Sequence, residues 1–185
     1  MDNALFADRK KEIEHAVNGT YTHICPFVRD TNLPSGIVEK YVPGTIIREP
    51  GYTDVSHKIG GMVTSHRYFI LSNHMADLVE FDRDTNWGLC CANRDARYKV
   101  LGTHFFDGKY GIFLLHLLDD ESWKIWIDAS ISLDSSLFEK AVEQFKKTCQ
   151  LPPVPELATE AWLERCIAPL GIDNEGNFFS LDGLL

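Results

Sequence analysis

The 185 residues carry 18 basic and 27 acidic side chains, a formal charge of -9, and 44% of them are hydrophobic. A chain of that length and apolar content forms one ordinary domain, expected over residues 1–185, which buries roughly 70% of the surface its unfolded form exposes; disordered and fibrous classes are excluded. The acidic field repels phosphate backbones and anionic lipid, so neither nucleic acid nor a membrane surface is expected as a guest, and a basic protein partner is the better electrostatic match.

Residues 1–11 have neither the apolar run of a signal peptide nor the composition of a transit peptide, and no apolar stretch approaches the roughly 20 residues of a membrane helix. A cytoplasmic protein is expected. Five cysteines, at 25, 90, 91, 149 and 166, form no CxxC pair and read as free thiols of a reducing compartment.

The first predicted element is an amphipathic helix over residues 3–17, with Phe6, Ile13, Ala16 and Val17 near one face and Asn18-Gly19 as its stop. From 19 to 61 prolines at 26, 34, 43 and 50 and glycines at 36, 44 and 51 leave room only for short strands, such as one at 45–48. Residues 62–71 are β-branched and aromatic and read as a strand. Ser72-Asn73 then open a short helical turn towards residue 81.

Residues 98–106 and 110–118 flank Asp107-Gly108, a pair that tolerates the positive φ of a type I′ turn, so a hairpin is predicted. Alternation of Trp123, Ile125 and Ile127 with polar neighbours adds a third strand at 123–128. Ser136 and Glu139 make a capping box for a helix over 136–149, stopped by Pro152-Pro153, and Thr159 caps a shorter helix over 159–168. No βαβ alternation is present. The expected class is therefore α+β, an antiparallel meander with helices packed mainly on one face.

Seven histidines raise the question of a metal or an acid/base site. With Phe106 opposite Lys109, Lys99 falls opposite His116, and His104 and His116 point to opposite faces of the hairpin. His57, His66 and His74 are candidates for a cluster, although an extended chain separates His66 from His74 by roughly 26 Å. No HExxH or HxH pattern accompanies them, and ordinary polar histidines are the plainer reading; no metal and no cofactor is expected.

His23 and Cys25 place an imidazole and a thiol on one side of an extended segment, a weak candidate for an activated nucleophile beside the plainer reading of a structural cysteine. Asp119, Asp120 and Glu121 read as a turn, and Asp173-Asn174-Glu175-Gly176-Asn177 lacks the glycine placement and late glutamate of a calcium loop. Gly60-Gly61 is no phosphate cradle, and no GxxxxGK[ST], GxGxxG or GxSxG motif occurs.

One stretch is dense in interface-type residues: His66, Arg67, Tyr68, Asn73, His74, Asp77, Glu80, Asp82 and Asp84, a candidate binding surface. Without a catalytic motif, the economical expectation is a small acidic protein-binding domain and not an enzyme. A stoichiometric inhibitor of a basic partner, antitoxin- or immunity-like, fits that description. The alternative is a hydrolase using His57, His66 and His74 or the His23/Cys25 pair.

Overall fold

A computed structural model describes residues 23–118, 124 and 132–182. Eight strands form one sheet: β1 (Cys25–Thr31), β2 (Ile46–Glu49), β3 (Thr53–Ser56), β4 (His66–Ser72), β5 (Ala76–Asp77), β6 (Leu89–Ala92), β7 (Ala96–Phe106) and β8 (Lys109–His116). Their spatial order is β2-β7-β8-β4-β1-β3-β6-β5. Two α-helices stand among the described residues, α1 (Ser132–Cys149) and α2 (Glu160–Arg165).

This corrects the expected fold class. The sheet is mixed and dominates the molecule: β4 and β8 run parallel, His66 opposite Tyr110 through Leu71 opposite Leu115, while every other strand pair among the described residues is antiparallel. The absence of a βαβ unit did not forbid a parallel pair, because β4 and β8 are not joined by one crossover: the chain passes through β5, β6 and β7 between them, entering β4 from β3 and β8 from its antiparallel neighbour β7. The helix expected over 3–17 and, Lys124 aside, the strand over 123–128 lie outside the described residues.

β4 lies inside the sheet and all seven of its residues are buried. Its alternation feeds two cores. Phe69, with Phe113 of β8, packs under Phe145 of α1 and Trp162 of α2. Tyr68 and Ile70 join Ile112, Leu114 and Tyr98 on the opposite face, which is closed by irregular chain carrying Tyr41, Leu170 and Ile172. Burial on both faces explains why Tyr68 to Leu71 of this strand reads as an unbroken apolar run. It also explains why its polar members, Arg67 and His66, are drawn inside.

Asp107 and Gly108 adopt φ of 51° and 74°, and Phe106 pairs with Lys109 as a two-residue I′ hairpin requires. A bulge between Val100 and Gly102 then slips the register by one residue, so Tyr98, not Lys99, lies opposite His116. α1 starts at Ser132, a turn before the capping box at Ser136, and α2 stops at Arg165, short of the expected 168.

Gly60-Gly61 has a structural use. The Gly61 amide donates to the Pro152 carbonyl at 2.9 Å, and a Cβ on Gly61 would collide with the Leu151 carbonyl. The linker between the helices is thereby laid against the chain entering β4. No helix among the described residues is long and apolar enough to cross a membrane.

Candidate functional site

The histidines expected to cluster are dispersed. His66 opens β4, and His74 lies two residues beyond its other end. His57 follows β3, with its backbone N–H bonded to the Gly88 carbonyl. His66 Nδ1 accepts the Leu33 N–H at 3.2 Å, and its ring stacks on Tyr110 at 5.4 Å; burial lowers its pKa. Among the described residues no group of three or more His, Cys, Asp or Glu could hold a metal ion. The Cys25 thiol points to the backbone carbonyl of His23 at 3.6 Å, not to its ring.

A pairing that sequence spacing did not reveal forms instead. His74 stacks on His116 at 3.9 Å, and Tyr98 lies 5.0 Å from His116 on the other side. Ser72 Oγ accepts the His74 N–H at 3.2 Å, leaving its hydroxyl proton for His116 Nδ1 at 2.9 Å. Burial, followed by the neighbouring His74, pushes His116 down to about 3. The serine and histidine look like a nucleophile and its base, but both are sealed from solvent, and His116 Nε2 meets no carboxylate or other partner. A hydrolytic substrate could not reach them.

The candidate binding stretch is split in the same way. Arg67 and Tyr68 are fully buried, Arg67 in a bidentate pair with Asp30 at 2.6 and 2.8 Å and Tyr68 hydroxyl-to-hydroxyl with Tyr41 at 2.7 Å. Asp82 is buried, accepting from Thr85 and from the Leu89 N–H. Asn73 and His74 are half-buried. Only Asp77, Glu80 and Asp84 of this stretch are exposed.

The structure offers a different site. A cavity of about 410 Å³ opens where the end of β1 meets α2, lined by Thr31, Asn32, Thr64, Glu160, Leu163, Glu164 and the flanking Ala158 and Ile167. That volume lies in the range of small-ligand pockets. Thr31, 2% exposed, carries a buried Oγ1 with no hydrogen-bond partner. Its neighbours are committed: Asn32 Oδ1 accepts the Ser65 N–H and hydroxyl at 2.9 Å, and Thr64 Oγ1 donates to the His66 carbonyl at 3.1 Å.

The walls are fixed by two arginines. Arg29 on β1 donates to the Asp54 carbonyl at 3.1 Å and the Arg165 carbonyl at 3.2 Å, and Arg165 pairs with Asp54 at 2.8 Å. This ties α2 to β1 and β3. Among the described residues the lining holds two carboxylates and no cation, a negative charge excess at the mouth. Sequence reading missed it because two threonines and an asparagine carry no motif, and they meet only when residues 31–32, 64 and 158–167 are folded together.

Comparison with protein-family models and with curated proteins finds no match. Solved structures do resemble it. The type III effector XopAI from Xanthomonas axonopodis pv. citri is 11% identical at a TM-score of 0.46, over 53% of this chain and 43% of that one. Exoenzyme S from Pseudomonas aeruginosa, solved with human 14-3-3 protein beta and Carba-NAD, is 14% identical at 0.44, over 69% and 64%. Plx2a, an ADP-ribosyltransferase toxin from Paenibacillus larvae, is 14% identical at 0.44, over 59% and 69%. The chain spans less than half the length of the XopAI structure.

These neighbours are effectors and toxins. The reading as a stoichiometric inhibitor of antitoxin or immunity type is corrected, as is the hydrolase alternative: Arg67 and Tyr68 of the expected binding surface are interior, and among the described residues His57, His66 and His74 form no cluster.

Proposed function

We propose that the chain binds a small organic cation in the cleft between β1 and α2. The observation that carries this reading is the Thr31 hydroxyl, buried without a partner on the wall of a 410 Å³ cavity. Leaving such a group unsatisfied costs about 1–3 kcal/mol, which a ligand able to hydrogen-bond it would recover. Glu160 and Glu164 supply the field for a positive charge, and Leu163 and the outward-facing Ile167 supply apolar cover for an aliphatic or aromatic body.

The test is calorimetric titration with amines and guanidines of graded length, alongside NAD as an anionic dinucleotide. Cations should bind, with affinity reduced by salt. Thr31→Val, nearly isosteric, should weaken binding about 3- to 10-fold, the worth of one hydrogen bond. Unchanged affinity in Thr31→Val, or NAD bound in preference to every amine, overturns the reading.

A protein partner is proposed on a separate observation. Phe81 is 85% exposed on a turn that also carries exposed Glu80 and Asp84, a combination suited to a basic segment with an apolar side chain. Exoenzyme S, solved with 14-3-3 protein beta, is a neighbour with a protein partner. Crosslinking of Phe81→Glu beside the unaltered protein tests it: capture of a basic partner by both alike would remove Phe81 from the surface.

A further inference from the structure

The β7–β8 hairpin leaves a length of sheet edge open. Phe106 and Lys109 close the two-residue turn as a hydrogen-bonded pair, so His104 with Gly111 and Gly102 with Phe113 are hydrogen-bonded pairs too. Thr103 and Phe105, opposite Ile112 and Tyr110, therefore turn their N–H and C=O groups away from β8. Val100, on the far side of the bulge, turns the same way and is satisfied: its N–H donates to the Thr45 carbonyl and its carbonyl accepts the Gly44 N–H, both at 2.8 Å. β2 pairs no further along β7 than Lys99. Among the described residues nothing bonds the outward backbone groups of Thr103 and Phe105.

Such an edge is a template for a further strand, and folds blunt it with lysine, proline, a bulge or a covering segment. Residues 101–106 contain neither lysine nor proline, and the bulge between Val100 and Gly102 lies before the open stretch.

The two faces of the edge differ. On one, the register sets His66, Tyr110 and Phe105 in a row across three strands, with ring centroids 5.4 and 4.7 Å apart. Phe105 ends the row and is 56% exposed, so the next place outward is against its open flank. On the other face lies His104, whose pKa is lowered by burial and then by the nearby Lys146. The Lys146 ammonium stands 5.9 Å from the Phe106 ring and makes no salt bridge among the described residues. Glu139 is about two helical turns away, beside Gly44, so the charge next to His104 is positive.

We propose that this edge of β7 takes an extended peptide as an added strand, with an acidic side chain opposite His104 and β-branched ones opposite Thr103 and Phe105. The peptide exchanges N–H···O=C bonds with Thr103 and Phe105 as an antiparallel partner. Directly opposed residues share a face, which puts the acid beside Lys146 and a β-branched side chain on the flank of Phe105. The formal charge of -9 restricts the guest to few acids. A second copy in the two-fold register is disfavoured, because it brings two Lys146 side chains together on one face.

The experiment is a nitrogen-15 NMR titration of the full chain with acetyl-Thr-Val-Glu-Val-Thr-amide. The amide signals of Thr103 and Phe105 should move, and the counterpart with Lys in place of Glu should bind about 3- to 10-fold more weakly, an exposed ion pair having become a repulsion. N-methylation of both valines removes the ladder bonds without touching the protein and should abolish binding. Lys146→Glu, its folding checked by thermal denaturation, should reverse the preference between the two peptides. No binding by the Glu peptide, equal binding by its methylated form, an unchanged preference in folded Lys146→Glu, or a dimer formed through this edge without peptide overturns the proposal. Failure of the cation titration at the β1–α2 cleft leaves this result untouched, because no residue of β7 or α1 lines that cleft.

Discussion

Replacing Arg67 by methionine probes a fully buried polar junction. Its guanidinium meets both oxygens of Asp30, the Gly60 carbonyl at 2.8 Å and Thr148 Oγ1 at 3.2 Å, all inside the protein. Methionine keeps much of the volume but leaves the Asp30 carboxylate buried and uncompensated. Breaking one side of such a pair costs about 3–5 kcal/mol. For a chain of this size each kcal/mol lowers Tm by roughly 2–4 °C, so the expected fall is about 6–20 °C. Urea denaturation should show a reduced midpoint with an unchanged slope. Adding Asp30→Leu to Arg67→Met removes the stranded charge and should restore more than half of the loss. A single-variant loss below about 1 kcal/mol, or a double variant as unstable as the two singles added, would refute the assignment of this stability to the ion pair.

Two further outcomes follow from burial. His116 is held down to about 3 in the folded protein, against about 6.5 unfolded. Above pH 6.5 both states are neutral there; below it only the unfolded chain takes the proton, so stability is full above pH 6.5 and falls by up to about 1.4 kcal/mol per pH unit towards pH 3. His116→Phe should flatten that slope, measured by urea melts between pH 4 and 7, and an unaltered slope would contradict the account. Among the thiols, Cys25 is exposed, whereas burial pushes Cys90, Cys91 and Cys166 up to about 11, 12 and 11. Maleimide should therefore label Cys25 first in the native protein, and mass spectrometry finding Cys90 or Cys91 modified as fast would count against the closed β3–β6 pairing.

Local features were legible in the sequence and distant ones were not. Asp107-Gly108 specified its hairpin because a type I′ turn is decided by two residues. The bulge near Leu101 has no comparable signal, and it alone moved His116 from Lys99 to Tyr98. The parallel seam between β4 and β8 is set by which strands finish beside each other, a matter of the whole chain. Arg67 and Tyr68 resembled interface residues by type, yet a strand covered on both faces takes its polar members inside with it. Thr31, Asn32 and Thr64 were silent because an uncharged hydroxyl announces nothing until its lack of a partner is seen.

The strand order interleaves the chain with itself. β2-β7-β8 form one antiparallel group and β4-β1-β3-β6-β5 another, joined along the β8–β4 seam. Yet β2 lies in sequence between β1 and β3, which belong to the other group. No single cut separates the two groups cleanly: cleavage anywhere between β2 and β7 takes the edge strand β2 away from β7 and β8, and any such cut ahead of β6 also divides the other group. Fragments of this chain should not fold alone, and the sheet should melt in one cooperative step.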